Sequence, residues 1–268
     1  MLKPPGHSAE MDRKTAPSLY GRARDFARRH RGLYAMVRTI KYGPFMGIRN
    51  QRQRFTLLEQ ARANNWRVLY LGSGGRRQPG MINLDITPVT GPDVVGDGYR
   101  LPFRDGTFDA IFCDYVIEHV PDPEAFLRAA GRALKQAGVF YLEIPFLQPV
   151  HGEPSDYSRW TRAGIEAMAA RGGLQVHAIG LHMGPAFTMF WLLKEWIALL
   201  LSFGIGSVRA VLAYILGWLL APLLILDLLM LHLPGADELA NGYYVVASPR
   251  SPDDAAGPGA RPFKDRAS

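Results

Sequence analysis

The chain has 268 residues, 48% of them hydrophobic and 21% charged, with a formal net charge of +7. That length suits one α/β domain with additions, and that apolar content excludes a disordered protein. The lone cysteine, Cys113, excludes internal disulfides and any cysteine-rich metal site, and it points to a reducing compartment.

The charge is uneven. Residues 1–67 hold 15 Lys and Arg against 4 Asp and Glu, a balance of +11, while the remainder carries −4. A basic arm of this kind attracts phosphates at a membrane surface or on a nucleic acid, unless it is simply a solvated helix face. No nucleic-acid-binding module accompanies the arginines, so nucleic acid is not the expected partner.

In chain order, residues 1–17 read as disordered, and Met1 to Lys14 show no apolar core of the kind a secretory signal needs. Residues 18–64 read as a basic helical segment. Its first helix, Ser18 to about Lys41, interleaves arginines with Tyr20, Phe26, Leu33, Tyr34 and Val37, as an interfacial helix does. Gly43-Pro44 breaks it, and Asn50–Asn64 forms a second helix.

A core then alternates strands and helices over 65–184 and 239–248. Short apolar runs predict strands at Val68–Leu71, Ile82–Ile86, Asp93–Val95, Phe108–Cys113, Val139–Ile144, Leu174–Ile179 and Tyr243–Ala247. Helices are expected over Pro123–Gln136, with Gly138 beyond its end, and over Thr161–Arg171, capped by Thr161. This alternation specifies a mostly parallel sheet covered by helices, with ligands beyond the carboxyl ends of the strands. The tail, 249–268, reads as loose.

Residues 185–238 interrupt the core between its last two strands. From Ala186 to Leu233, 48 residues carry four formal charges: Lys194, Glu195, Arg209 and Asp227. Gly217 and Pro222 bend the second arm, and Lys194 and Glu195 sit within the first. Two clean membrane spans are therefore not expected, and a shallow or re-entrant hairpin bending around Gly204–Ser207 fits better. Trp191, Trp196, Tyr214 and Trp218 supply interfacial rings. A buried helical cap or a dimer interface is the alternative.

The chemistry-bearing residues fall at strand ends. Gly72-Ser73-Gly74 follows the first strand, where glycines let the backbone turn and approach a ligand. Asp85 ends the second strand, 13 positions after Gly72, too close for a dinucleotide motif and enough only for a truncated first helix. Asp97-Gly98 precedes Leu101-Pro102-Phe103, and Phe108-Asp109 and Glu118-His119 follow. At this point the chain resembles the class I S-adenosylmethionine-dependent methyltransferases, chiefly the type 11-like branch with an Asp-x-x-x-Leu-Pro-Phe segment and then Phe-Asp and Glu-His.

The resemblance covers about residues 66–180 and the last strand. It implies a Rossmann-like seven-stranded sheet, mostly parallel with an antiparallel last strand, and S-adenosylmethionine as cofactor. Gly72, Ser73 and Gly74 would lie along the methionine part, Asp85 on the ribose with Ile86 against the adenine. Asp97 would accept from the adenine amino group beside Gly98, and Asp114 and Tyr115 would line the methionine end. Tyr70 stands where the family carries an acid.

On the acceptor side, His151-Gly-Glu-Pro-Ser-Asp-Tyr157-Ser-Arg-Trp160 follows the fifth strand. His151 is suited to take the acceptor's proton and Tyr157 to align it, unless Asp156 and Arg159 merely pair to pin the loop. His119 reads as a helix-entry hydrogen bond, Cys113 as core, His177 as solvated and His182 as near the mouth of the site. No metal-ligand spacing is recognisable, so no metal is expected.

The expectation is thus a methyltransferase on the cytoplasmic face of the cell membrane. Its acceptor would be a lipid or lipid-linked molecule: a polyprenyl-linked saccharide, a quinone or a polar lipid. A non-catalytic scaffold of the same fold, or a different transfer such as quinone amination, are the rivals.

Overall fold

The computed structural model describes residues 50–75, 77–88, 91–151 and 155–251. The basic arm up to residue 49 and the tail beyond 251, including the disorder and the interfacial helix expected there, lie outside them.

Seven strands form one sheet: β1 (Val68–Leu71), β2 (Ile82–Asp85), β3 (Val94–Val95), β4 (Phe108–Asp114), β5 (Leu134–Pro145), β6 (Leu174–Met183) and β7 (Gly242–Pro249). The order is β3-β2-β1-β4-β5-β7-β6. All pairings are parallel except those of β7, which is antiparallel to β5 on one side and to β6 on the other. This is the Rossmann-like methyltransferase sheet that the resemblance implies. Because β7 reverses twice over, β6 runs parallel to the first five strands.

The strands read as continuous apolar runs because both faces are covered. Leu69 and Leu71 of β1 point into one core cluster, with Ile111, Cys113, Phe140 and Leu142, against helices α2 (Pro123–Ala133) and α3 (Arg162–Arg171). Val68 and Tyr70 point the other way, with Phe112, Tyr141 and Val246, toward Leu57 and Ala61 of α1 (Arg52–Ala63). Between β1 and β2 no helix forms among the described residues. Buried Asn83 holds that connection instead: its Nδ2 donates to the carbonyls of Gln78 and Met81 and to Asp93.

Two boundaries differ from expectation by more than two residues, at the α2–β5 junction and at the end of β6. Helix α2 stops at Ala133 rather than Gln136, because Leu134 enters the core and pairs with Phe108, starting β5 early. A Cβ at Gly138 would lie 2.9 Å from the Lys135 carbonyl and 3.2 Å from that of Asp109, so this glycine permits a close strand approach. Strand β6 runs on to Met183, paired with β7 to its end, which places His182 inside the strand. Both helix starts agree with expectation: Asp122 accepts from Ala125 N at 2.9 Å and Thr161 from Gly164 N at 3.2 Å.

The insertion forms helices α4 (Pro185–Ser202) and α5 (Gly206–Leu219), then a 3-10 turn over Ala221–Leu226 and the one-turn helix α6 (Asp227–Met230). Phe203 and Gly204 turn the hairpin with φ of 49° and 82°. Helix α4 buries the stripe Phe187, Phe190, Lys194, Ala198 and Ser202, one helical face, and leaves the opposite face outward.

One buried network fastens α1 to the sheet. Arg54 Nη1 lies 2.7 Å from Asp114 Oδ1 and 3.5 Å from Glu143 Oε1, with its guanidinium over the rings of Tyr70, Phe112 and Tyr141. Burial alone would lower its pKa, but the two carboxylates outweigh that and raise it. Arg54→Ala would leave two carboxylates buried without their cation, a change that costs about 3–5 kcal/mol. Urea denaturation should show a loss of that size, and a loss below about 1 kcal/mol would mean that solvent already screens the network.

Candidate active site at the carboxyl edge of the sheet

The carboxyl ends of β1, β2, β4 and β5 bring most of the expected residues to one rim. Gly72 N and Ser73 N both donate to the Leu84 carbonyl, extending the β1–β2 ladder into the turn. Gly72 and Gly74 have φ of 73° and 51°, and a Cβ at Gly74 would meet nothing within 4 Å. At Gly72 a Cβ would lie 2.3 Å from Val116 Cγ2, so the turn is packed under the loop after β4.

Asp85 ends β2 almost fully buried. Its Oδ2 accepts from Gly74 N at 2.6 Å and its Oδ1 from Thr87 N at 2.9 Å. The carboxylate thus fixes the glycine turn while each oxygen keeps a lone pair for a ligand hydroxyl. Ile86, next along, is 67% exposed and offers an apolar face to the open rim. Half-buried Asp97 accepts from Tyr99 N at 2.9 Å, and Gly98 lies against the Phe126 ring, where a Cβ would come within 2.2 Å.

Asp114 is placed otherwise than a ligand-lining residue. Its carboxylate is committed beneath the sheet, accepting from Arg54 at 2.7 Å and from Tyr70 Oη at 2.9 Å. Tyr70 therefore meets an acid supplied by the neighbouring strand. Tyr115, at φ 55°, turns the chain out of β4 with its N donating to the Glu143 carbonyl at 2.9 Å. A non-glycine residue held there stores local strain, which concentrates at ligand sites.

The acceptor-side loop is built around Asp156. It accepts from His151 N at 2.9 Å and pairs with Arg159, and these contacts hold its pKa down to about 2 against the upward pull of burial. The expected pinning network is therefore present, yet it does not consume the His151 ring. Burial would lower the His151 pKa; Glu118, the Pro149 carbonyl and Asp156 more than offset it and raise it. Tyr157 N donates to the Glu118 carbonyl at 2.8 Å, leaving the Tyr157 ring 56% exposed. A cavity of about 160 Å³ lies beside it, lined by Gln148, Val150, Asp156, Tyr157, Ser158 and Arg159. A larger one, about 440 Å³, opens on the edge strand β6, away from these loops, and has none of their residues.

Sequence reasoning missed three groups. Glu118 is fully buried and faces both His119 and His151. His119 Nδ1 binds the Ser155 carbonyl at 2.5 Å, so it pins the acceptor-side loop rather than a helix start. His182, expected at the mouth, is buried with its Nε2 3.2 Å from Glu143 Oε2. His177 is half-buried, 2.7 Å from Ser248 Oγ, and Cys113 is in the core as expected.

The hairpin root closes the same rim. Tyr115 and Trp191 pack on the cluster Met183, Phe187, Phe190 and Leu224, and the Trp191 ring stands 6.3 Å from that of His151.

Residues 77–142 match the family model described as a methyltransferase domain. Among curated proteins, the chain is 51% identical over 37 residues to the ubiquinone biosynthesis O-methyltransferase of Xanthomonas oryzae pv. oryzae (strain PXO99A), covering 14% of this chain and 16% of that one. It is 35% identical over 79 residues to the demethylmenaquinone methyltransferase of Mycolicibacterium gilvum (strain PYR-GCK), covering 29% and 34%. The chain thus spans a minor part of the length of either relative. Among solved structures, phosphoethanolamine N-methyltransferase 2 of Haemonchus contortus with S-adenosyl-L-methionine superposes with a TM-score of 0.47 at 19% identity, over 85% of this chain and 60% of that one. An S-adenosylmethionine-dependent methyltransferase of Clostridium acetobutylicum ATCC 824 gives 0.43 at 12% identity, over 56% and 90%. The strand order, rather than these superpositions, defines the fold.

The structural role of Asp85 can be read without any ligand. Each charge-assisted hydrogen bond it accepts contributes about 1.5–3 kcal/mol, or roughly ten- to a hundredfold in an opening equilibrium. Asp85→Ala should therefore speed hydrogen exchange at the Gly74 and Thr87 amides by at least tenfold. Unchanged exchange there would mean that the turn holds itself.

Proposed function

We propose that the protein is a membrane-associated S-adenosylmethionine-dependent methyltransferase acting on a lipid or lipid-linked acceptor. The observation that carries this reading is the shared rim: the root of an oily hairpin abuts the loops that follow β4 and β5. The names of the matched relatives favour a quinone among the acceptors, with a polyprenyl-linked saccharide or polar lipid as further members of the class.

The residues present suit the cofactor. The glycine turn offers open space at Gly74, and Asp85 is anchored by two backbone amides with lone pairs to spare for ribose hydroxyls. Ile86 would face the adenine, Asp97 its amino group, and Tyr115 with Gly72 and Ser73 the methionine end. Asp114 acts from beneath, by holding Tyr70 and Arg54. When bound, the cofactor supplies an electrophilic methyl group, which needs alignment with a deprotonated acceptor. His151 and Tyr157 stand on the acceptor side, the first to manage the acceptor's proton and the second to orient it.

Membrane association is supported by what the hairpin exposes. Phe203 is 90% exposed, Leu219 70% and Trp196 63%, and Leu199, Leu200, Leu228 and Leu229 lie outward with them. Patches of this extent mark a partner or a membrane. By length and composition alone, Pro185–Ser202 is long and apolar enough to cross a bilayer, and Gly206–Leu219 with Ala221–Met230 would be a second span bent by 49°. The bend favours a re-entrant or shallow hairpin on the cytoplasmic face, where the basic arm would meet anionic headgroups at about 1 kcal/mol per Lys or Arg.

Two measurements test the halves separately. S-adenosylmethionine should bind in calorimetry, and Asp97→Ala should weaken it roughly tenfold, the value of one hydrogen bond to a charged group. Failure to bind at millimolar cofactor would leave a non-catalytic scaffold, and lipid extracts compared by mass should otherwise show a gain of one methylene. Changing exposed Leu199, Leu200, Leu228 and Leu229 to Gln should stop the protein floating with anionic vesicles. A variant that still floats would sink the hairpin's role.

A further inference from the structure

Glu118 poses a problem that the proposed chemistry does not resolve. Its carboxylate is fully buried, and among the described residues neither oxygen has a hydrogen-bond partner. A buried charge in that state is strongly disfavoured unless something positive sits against it.

Two imidazoles face it. Nε2 of His119 and Nε2 of His151 each lie 3.6 Å from the same oxygen, Oε1. That separation is longer than a close hydrogen bond, so the two rings surround the carboxylate oxygen without donating directly to it in this arrangement. The opposite ring nitrogens are already engaged. His119 Nδ1 faces the Ser155 carbonyl at 2.5 Å, and His151 Nδ1 faces the Pro149 carbonyl at 3.2 Å. The Ser155 carbonyl only accepts, so His119 Nδ1 carries a proton, and the Pro149 carbonyl favours the same arrangement at His151; an ion that displaces the Nε2 protons would then meet a lone pair on each Nε2 beside Oε1. Arg159 Nη2 also lies 3.2 Å from His151 Nδ1, but it donates to Asp156 Oδ2 at 2.6 Å and lies near the Pro149 carbonyl. Imidazoles fixed by carbonyls in this way are how proteins orient metal ligands.

The spacing fits an ion. Zinc bonds of about 2.0–2.1 Å at tetrahedral angles put neighbouring ligand atoms about 3.4 Å apart. Here two edges measure 3.6 Å, and the three ligand atoms lie within 4.8 Å of one another. Two imidazoles and one carboxylate, of mixed softness, suit a divalent transition ion over calcium or magnesium.

We propose that Glu118, His119 and His151 bind one divalent transition-metal ion of the zinc type, with its remaining position open toward the acceptor side. Trp191 of the hairpin, its ring 6.3 Å from that of His151, flanks that side. The binding stands on this geometry alone; only its use in catalysis rests on the methyltransferase reading.

Untagged full-length protein, stripped with a chelator and dialysed, should bind one zinc per chain in calorimetry. His151→Ala should weaken that binding at least tenfold, in the range seen when metal-site groups are lost. Glu118→Gln should do the same, while His232→Ala, at an exposed position of the insertion, should leave it unchanged. Cobalt(II) in place of zinc should give visible ligand-field bands that His151→Ala abolishes. S-adenosylmethionine binding, measured on the same variants, reports that they remain folded. A wild-type protein that takes up no zinc, or a folded His151→Ala variant with wild-type zinc affinity, would overturn the site. Cofactor binding without zinc would remove this inference and leave the function standing; zinc without cofactor binding would do the reverse.

Discussion

A single reversal in strand direction governs where this protein can act. Strand β7 lies between β5 and β6 and is antiparallel to both. Parallel strands share one carboxyl edge, so β6 must deliver the chain to the same rim as β1, β2, β4 and β5. Whatever is inserted between β6 and β7 therefore emerges beside the loops of the candidate site. The hairpin's place at the rim is a consequence of sheet topology, and its sequence could vary widely without moving it.

What the topology does not settle is how an apolar insertion tolerates its charges. Each charge within the hairpin is answered locally. Lys194 is almost fully buried with its Nζ 3.4 Å from Glu195 Oε1, and Glu195 Oε2 in turn lies 3.0 Å from Arg209 Nη2 across the hairpin. Asp227 accepts from Ala186 N at 2.8 Å and Phe187 N at 3.0 Å, capping α4 at the positive end of its dipole. Gly184 is glycine because a Cβ would lie 2.3 Å from that carboxylate. Thr188 then ties the start of α4 to the Leu239 carbonyl at 2.8 Å, where the insertion leaves. The charges thus fasten the hairpin to itself and to the sheet, while the outward face stays apolar.

The sheet was legible because its signals are local. Apolar runs bounded by glycine and proline marked the strands, and strand ends marked Gly72, Asp85 and Asp97. The hairpin's turn showed in Gly204 and its bend in Pro222, whereas Gly217, also expected to bend the arm, stays inside helix α5 because the break comes only after Leu219. What stayed hidden were contacts between distant segments. Nothing in the spacing of Glu118, His119 and His151 resembles a ligand set, since β5 and its loop must fold back before His151 faces Glu118. Arg54 read as one more arginine of a basic arm until the sheet placed it over Asp114 and Glu143. His182 looked like a loop residue because β7 lengthens β6, and no pattern within β6 itself reports on its partner.

Arg54 also redraws a boundary. By composition α1 belongs to the basic segment, but its guanidinium is the counter-charge of two core carboxylates, one of which holds Tyr70 two positions before Gly72. Where the resemblance implies an acid, position 70 carries a phenol, and a carboxylate reaches the same place from β4 as Asp114. An acid at 70 beside Asp114 would set two like charges against each other in a buried site, which one arginine cannot fully neutralise. Tyrosine fills the position with a donor instead, and that choice makes sense only with Arg54 in place. Helix α1 is therefore part of the candidate site's foundation, and the basic arm proper lies on its amino-terminal side.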